Sequence, residues 1–178
     1  MAVWNVINHT ELSSGNATLI DWTSISSSYD HLFVDLSVRG DNAGKIVSYK
    51  VQFNGETSST NYSYTNFYLT GTTVSVEKYT NQATVAAYPR MVAGTGTANM
   101  FSGFQMWVPN YSNTSHFKPI LATNPAASNS STSGEFYYYE IAGMWANTAA
   151  VDQITITASS DDFVQHSSAT LYGINGAA

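Results

Sequence analysis

The sequence contains no cysteine, which excludes disulfides, thiolate catalysis and cysteine-ligated zinc. Charge is also scarce. Only 10% of the residues are Asp, Glu, Lys or Arg, whereas ordinary soluble domains carry about 25%. Six Lys and Arg stand against twelve Asp and Glu, giving a net charge of −6. Nucleic acids and anionic membranes are bound by clustered basic residues, so the composition predicts neither as a partner.

Long apolar runs are missing as well. No stretch approaches the roughly 18 apolar residues of a membrane-spanning helix. The opening "MAVWNVINHTELSSG" lacks the basic region and the apolar run of a cleaved secretion signal. The length suits one domain. We therefore expect a single domain over residues 1–178 that is made and retained in the cytoplasm or released without a cleaved signal.

The pattern that dominates is an alternation of apolar and polar residues. In "HLFVDLSV" the residues Leu32, Val34, Leu36 and Val38 share one face, as expected for a half-buried strand. Such runs recur every 8–15 residues between turn-rich spacers, which predicts an all-β antiparallel sandwich or barrel. Strands are predicted at 3–7, 17–22, 31–38, 46–53, 62–69, 73–78, 83–92, 104–108, 117–122, 135–145, 154–157 and 168–174.

The spacers give three further expectations. Asn54-Gly55 is typical of a tight hairpin turn, because both residues accept positive φ. The stretch 123–134, "TNPAASNSSTSG", is interpreted as a surface loop rather than a domain linker. A short helical turn is a candidate near "SISSSYDH", since serine can cap a first turn.

Residues with catalytic or metal-binding chemistry form no recognisable motif. The four histidines, His9, His31, His116 and His166, lack metal-ligand spacing. No pair of carboxylates is marked as a glycosidase pair, and no nucleophile or nucleotide-binding motif occurs. Calcium could be held at Asp41-Asn42 or at Asp161-Asp162, but neither stretch matches a calcium loop. The prediction is a protein without catalytic residues, metal or cofactor.

Aromatic residues are the strongest candidates for function. Tyrosine combines a rigid apolar face with a polar tip, so it suits both protein interfaces and sugar rings. In "EFYYYE" neighbouring rings must point to opposite faces, so one face covers another surface or stays exposed. An oligomer interface, a second core, a glycan surface and no specific role all remain open. The candidate contact residues are Tyr62, Tyr64, Trp107, Tyr111, Tyr137 and Tyr139.

An ordered set of segments resembles a family of small β-rich virion proteins of tailed bacteriophages, especially those of marine and cyanobacterial phages. The segments are "ATLIDWTSISSSYDHLFVDLSVRG", "YKVQFNGETSSTNYSY", "MWVPNY", "AGMWANTAAVDQITIT" and "FVQHSSATLYGI", which together span residues 17–174. The resemblance implies a jelly-roll-like β-sandwich with a structural role in the virion and no catalytic residues.

The sequence lacks a segment that would attach it to a tail, and this bears on its place in the particle. No shaft, coiled coil or repeat is visible that would couple a fibre tip to a tail. We therefore expect a capsid decoration protein that binds the major capsid protein. Proteins of that kind commonly assemble as trimers, so the resemblance implies a homotrimer. The alternative is a tail-fibre or tail-tip module that recognises a host glycan. A glycan hydrolase is the third hypothesis.

The final run, 168–174, alternates in the same way as the internal strands. We predict an ordered closing strand there, a non-catalytic role for His166, and loss of folding when the last eleven residues are deleted.

Overall fold

The computed structural model describes residues 3–14, 16–58, 60–85, 89–128, 136–159 and 162–176. In these ranges the regular structure is entirely β, and no helix there could cross a membrane. The strands are β1 (Val3–Glu11), β2 (Leu19–Trp22), β3 (His31–Val38), β4 (Ile46–Phe53), β5 (Tyr62–Thr70), β6 (Thr73–Gln82), β7 (Arg90–Val92), β8 (Ser102–Pro109), β9 (Lys118–Ala127), β10 (Phe136–Trp145), β11 (Ile154–Ala158) and β12 (Ser168–Asn175).

The strands form two sheets. The large sheet has the order β1-β12-β3-β8-β9-β10-β5-β6, and the small sheet has the order β2-β11-β4-β7. When β5, β6, β9 and β10 are set aside, successive strands alternate between the sheets except at β4 and β7, which are neighbours in the small sheet. The antiparallel pairs β1–β12, β2–β11, β3–β8 and β4–β7 then nest like one long hairpin rolled up on itself. This is the jelly-roll arrangement, so the predicted antiparallel jelly-roll-like sandwich is confirmed.

Two inserted hairpins enlarge one sheet only. β5–β6 follows β4, and β9–β10 follows β8, and both add strands to the large sheet beyond β8. The small sheet keeps four strands and ends at β7. The far end of the large sheet, formed by β10, β5 and β6, therefore extends past the strands of the small sheet.

The core lies between the two sheets and follows the predicted alternation. Leu32, Val34, Leu36 and Val38 of β3 are all buried, as the period of two requires. Aromatic side chains fill much of the remaining space, and several meet edge to face, a favoured geometry for aromatic pairs. The large, fully buried aromatic side chains are Trp22, Tyr49, Phe53, Tyr62, Phe104, Tyr111, Trp145 and Phe163.

Four local predictions need correction. Asn54 and Gly55 do form a tight turn with φ of 51° and 62°, and the Glu56 amide donates to the Phe53 carbonyl at 2.9 Å. However, β4 and β5 belong to different sheets, so the predicted hairpin is wrong and the turn passes the chain between sheets. The serine-rich stretch near Ile25 contains no helical turn.

The other two corrections concern strand ends. β9 continues to Ala127, because Asn124 and Ala126 point into the core while the backbone pairs with β10. The predicted loop 123–134 is therefore wrong for its first five residues, and 129–134 lie outside the described residues. The predicted strand 83–92 is reduced to β7, since 83–85 are irregular and 86–88 lie outside the described residues.

Gly173 allows the ring of Tyr29 to lie directly on β12. A Cβ at position 173 would come within 2.4–2.6 Å of three Tyr29 ring atoms, closer than any relaxed contact. We expect Gly173→Ala to lower the free energy of unfolding by about 1–3 kcal/mol, as overpacking does. Gly103→Ala is the control, because its Cβ would meet Pro125 at 3.3 Å. The free energies of unfolding are measured in urea. If Gly103→Ala lowers this free energy more than Gly173→Ala does, the account is wrong.

Candidate functional site

Three of the candidate aromatic residues lie in the core. Tyr62, Tyr64 and Tyr111 are buried, with at most 4% of their surface exposed. The Tyr62 hydroxyl accepts a hydrogen bond from the Phe53 amide at 2.8 Å, and the Tyr111 hydroxyl donates to the Ser26 carbonyl. The prediction of a surface contact is corrected for these three residues, because Tyr62 and Tyr64 occupy inward positions of β5.

Trp107 lies on the outer face of the large sheet, the face directed away from the small sheet. Strand register places it between Phe33 and Leu121, and Phe33 lies opposite Tyr172 on the next strand. Trp4 meets Phe33 and Tyr172 edge to face, with centroids 5.2 and 5.8 Å apart. We call these five residues the outer apolar stripe.

The outer apolar stripe is accessible and borders a shallow groove. The exposed fraction of Leu121 is 58%. Phe33, Trp107 and Leu121 line the groove together with Gln105 and Glu140, and its volume is about 240 Å³. Soluble monomers rarely leave connected apolar surface of this kind open, and such surface commonly marks an interaction site.

The two remaining candidates, Tyr137 and Tyr139, line a second cavity of about 240 Å³. It lies on the inner side of the large sheet, where β10, β5 and β6 extend past the small sheet. We call it the tyrosine pocket. Its walls are Tyr68, Thr70, Glu77, Tyr79, Arg90, Tyr137 and Tyr139.

Three tyrosine rings in this pocket form a parallel stack. The centroids of Tyr68 and Tyr139 are 5.0 Å apart with 12° between the planes, and those of Tyr139 and Tyr137 are 6.2 Å apart with 10°. The stack follows from register, since Tyr68 pairs with Tyr139 across β5 and β10. Tyr137 and Tyr139 share a face because they are two residues apart.

One carboxylate and one guanidinium line the same pocket. The Glu77 carboxylate accepts hydrogen bonds from Tyr68 at 3.0 Å and from Tyr79 at 2.6 Å. Hydrogen bonding to Glu77, reinforced by burial, raises the pKa of Tyr79 to about 12. Tyr79 therefore stays protonated at neutral pH and continues to donate to Glu77.

Arg90 enters the pocket from β7 of the small sheet. Its guanidinium carbon is 5.4 Å from the centroid of the Tyr137 ring, a cation–π distance. One terminal nitrogen donates to the Ser48 hydroxyl at 3.1 Å, while the buried Nε has no hydrogen-bond partner. Burial raises the pKa of Tyr139, while hydrogen bonding to Arg90 and the positive charge of Arg90 oppose part of that rise.

A buried amide fixes the backbone that carries Arg90. Asn124 of β9 accepts from the Arg90 amide at 2.6 Å and donates to the Arg90 carbonyl at 3.0 Å. It also donates to the Gly103 carbonyl at 2.6 Å. Asn124 therefore connects β9, β8 and β7, and it sets the position of Arg90 relative to the large sheet.

The sequence pattern did not single out Glu77, Tyr79 or Arg90. The alternation in β6 puts Glu77 and Tyr79 on one face, and this was the available signal. Arg90 belongs to the other sheet and reaches the pocket only through the tertiary fold.

Of the two candidate calcium stretches, Asp41 and Asp162 lie close together, and Asp161 lies outside the described residues. The backbone amide of Asp162 donates to the Asp41 carboxylate at 2.9 Å, and the side-chain amide of Asn16 donates to the same carboxylate at 2.8 Å. The Thr18 hydroxyl donates to the Asp162 carboxylate at 2.7 Å. These contacts hold two loops together. Over the ranges in which side chains are placed, no group of three or more His, Asp or Glu residues could hold a metal ion.

The fold and the two surfaces define a jelly-roll β-sandwich with an apolar outer face and a tyrosine-lined pocket. No protein-family model and no curated protein matches the sequence. A structure of exo-inulinase from Aspergillus awamori aligns over 96% of this chain, with 12% identity and a TM-score of 0.45. This chain spans only 29% of that enzyme.

Two smaller proteins align at lower similarity. The alignment with the Caenorhabditis elegans galectin LEC-6 covers 95% of this chain and 96% of the galectin chain, with 6% identity and a TM-score of 0.32. The alignment with the Ruminococcus gnavus IT-sialidase CBM40 covers 96% of this chain and 91% of that chain, with 13% identity and a TM-score of 0.32. At this level of similarity the alignments assign neither a ligand nor an enzymatic activity to this chain.

Proposed function

We propose that the chain is a structural protein of a tailed-phage virion, a capsid decoration protein that docks on the major capsid protein. The observation that carries the proposal is the outer apolar stripe. It crosses the strands from Trp4 to Leu121 on a face that no described part of the chain covers. The virion setting comes from the family resemblance of the sequence, and docking without chemistry suits such a surface.

The size of the outer face fits a stable interface. Eight strands spaced about 4.8 Å apart, each rising about 3.3 Å per residue over about eight residues, give a face of roughly 900 Å². A standard protein–protein interface buries about 800 Å² on each partner. Aromatic residues such as Trp107, Phe33 and Tyr172 are the types that anchor interfaces of this size.

Assembly as a homotrimer on the capsid lattice is part of the proposal. The edge strand β6 exposes Val74 and Val76, with 58% and 68% of their surfaces accessible. Long edge strands with exposed apolar side chains readily meet another chain. In this proposal the copies of the chain contact one another through the β6 edge, and the outer apolar stripe contacts the capsid.

Leu121→Asp tests the docking surface. We expect it to lower the amount of protein bound to capsids assembled without this chain by at least tenfold, because the interface would bury an unpaired carboxylate. Leu19→Asp is the matched control, since Leu19 is 49% exposed but belongs to the small sheet. Binding is measured by co-sedimentation and copy number by quantitative mass spectrometry of virions.

Equal binding of Leu121→Asp and wild-type protein would overturn the docking surface. A copy number of only a few per virion would overturn the head location. That second result would favour the other candidate function, a receptor-binding module of the tail, for which the tyrosine pocket provides a specific surface.

A further inference from the structure

We propose that the tyrosine pocket binds a neutral hexopyranose unit of a glycan. The proposal does not depend on the outer apolar stripe, because the pocket lies on the opposite side of the large sheet. It also does not depend on whether the chain occupies the head or the tail of a virion. Its support comes from three properties of the pocket: its size, its aromatic walls, and the presence of one acidic and one basic side chain, Glu77 and Arg90.

The size of the pocket suits one sugar ring. Its volume is about 240 Å³, below the roughly 300–1,000 Å³ of pockets that hold drug-sized ligands. The pocket forms between β7 of the small sheet and the β10–β5–β6 end of the large sheet. A terminal or protruding hexose can enter there without a change in either sheet.

The aromatic walls are rigid before any ligand arrives. Tyr68, Tyr139 and Tyr137 hold each other in parallel orientation, and Arg90 packs against Tyr137. Tyrosine offers a large amphipathic contact area at a low cost in conformational entropy. The surface that the pocket exposes is mainly polar. The hydroxyls of a pyranose would therefore meet the phenol and charged groups, while its C–H groups contact the edges of the tyrosine rings.

The charges select a neutral ligand that both donates and accepts hydrogen bonds. An ionised carboxylate has about four lone-pair sites, and Tyr68 and Tyr79 occupy two at Glu77. The remaining sites accept hydrogen bonds from sugar hydroxyls. Arg90 forms no ion pair with any described carboxylate, so its remaining N–H groups can donate to sugar oxygens.

A ligand with a net charge meets an opposing group in this pocket. An anion would approach Arg90 but would also lie near Glu77, and a cation would face the reverse problem. A neutral polyol satisfies both groups without leaving a buried charge unpaired. This argument favours a neutral hexose over a uronic acid or an amino sugar.

The test uses the full chain and three defined probes: methyl β-D-galactopyranoside, methyl α-D-glucopyranoside and methyl α-D-mannopyranoside. Saturation-transfer NMR measures binding at millimolar sugar. We expect at least one probe to bind, Tyr137→Ala to weaken it at least tenfold, and Glu77→Gln to weaken it several-fold by removing the charged acceptor. Leu19→Ala, at an exposed position of the small sheet outside the pocket, is the control and is expected to bind like the wild type.

Circular dichroism and thermal unfolding check that each variant is folded. Glu77→Gln keeps the volume of the side chain, so it tests the pocket even if Tyr137→Ala does not fold. Absence of saturation transfer to all three glycosides would overturn the proposal, as would equal binding by wild type and Glu77→Gln. Binding of a small zwitterion such as glycine betaine in place of the sugars would also overturn it. None of these results bears on capsid docking, which is measured at Leu121.

Discussion

Removal of residues 168–178 is expected to abolish folding. β12 lies between β1 and β3, and β1 has no other partner strand in the described sheet. The deletion therefore removes two ladders of backbone hydrogen bonds and leaves β1 unpaired. It also removes Ala169 and Leu171, both fully buried.

The loss of stability that this deletion causes is larger than the total stability of a typical domain. Truncating a single buried leucine to alanine costs about 2–5 kcal/mol, and whole domains are stable by about 5–15 kcal/mol. Loss of Leu171 together with the pairing of eight strand residues exceeds that margin. Unpaired edges at β1 and β3 would also expose backbone groups to aggregation.

The measurement is expression of the truncated chain followed by circular dichroism and size-exclusion chromatography. The control removes residues 177–178 only, beyond the end of β12, and is expected to unfold cooperatively like the full chain. A truncated protein without 168–178 that remained monomeric and unfolded cooperatively would contradict this account.

We expect Asn124→Leu to lower the free energy of unfolding by about 3–5 kcal/mol. The Asn124 side chain is fully buried and forms short hydrogen bonds with the Arg90 amide and the Gly103 carbonyl. Leucine is close in size but has no polar atom, so it leaves these backbone groups buried without partners. Each such group costs about 1–3 kcal/mol, and at least two are affected.

The same change is expected to displace Arg90, because the β7 backbone loses its connection to β9. Urea unfolding measures the stability. Asn66→Leu is a matched control, since Asn66 is also a buried asparagine of the large sheet but its Oδ1 has no hydrogen-bond partner. We expect Asn66→Leu to lower the free energy of unfolding clearly less than Asn124→Leu does. Equal losses at the two positions would show that the network around Asn124 does not determine the effect.

Most of the strands could be predicted from the sequence, because burial on one face imposes a period of two. β3, β5 and β12 follow this pattern closely. The alternation says which residues share a face, but not which face is covered. That is why Tyr62 and Tyr64 were expected at a surface although they lie in the core.

The assignment of strands to sheets could not be predicted in the same way. Asn54-Gly55 has the φ values of a hairpin turn, yet the strands on either side belong to different sheets. Local turn chemistry fixes the change of direction but not the partner strand. The tyrosine pocket was missed in part for the same reason, since Arg90 lines the same pocket as Glu77 only because β7 packs over β9.

The nested pairing of the jelly roll also has a kinetic consequence. β5–β6 and β9–β10 pair strands that are adjacent in the chain, whereas β1–β12 brings Val3 next to Asn175. Closing long loops slows folding, so proteins dominated by such distant pairings fold in milliseconds to seconds. We therefore expect the two inserted hairpins to gain hydrogen-exchange protection first during refolding, and the ladder that joins the ends of the chain to gain it last.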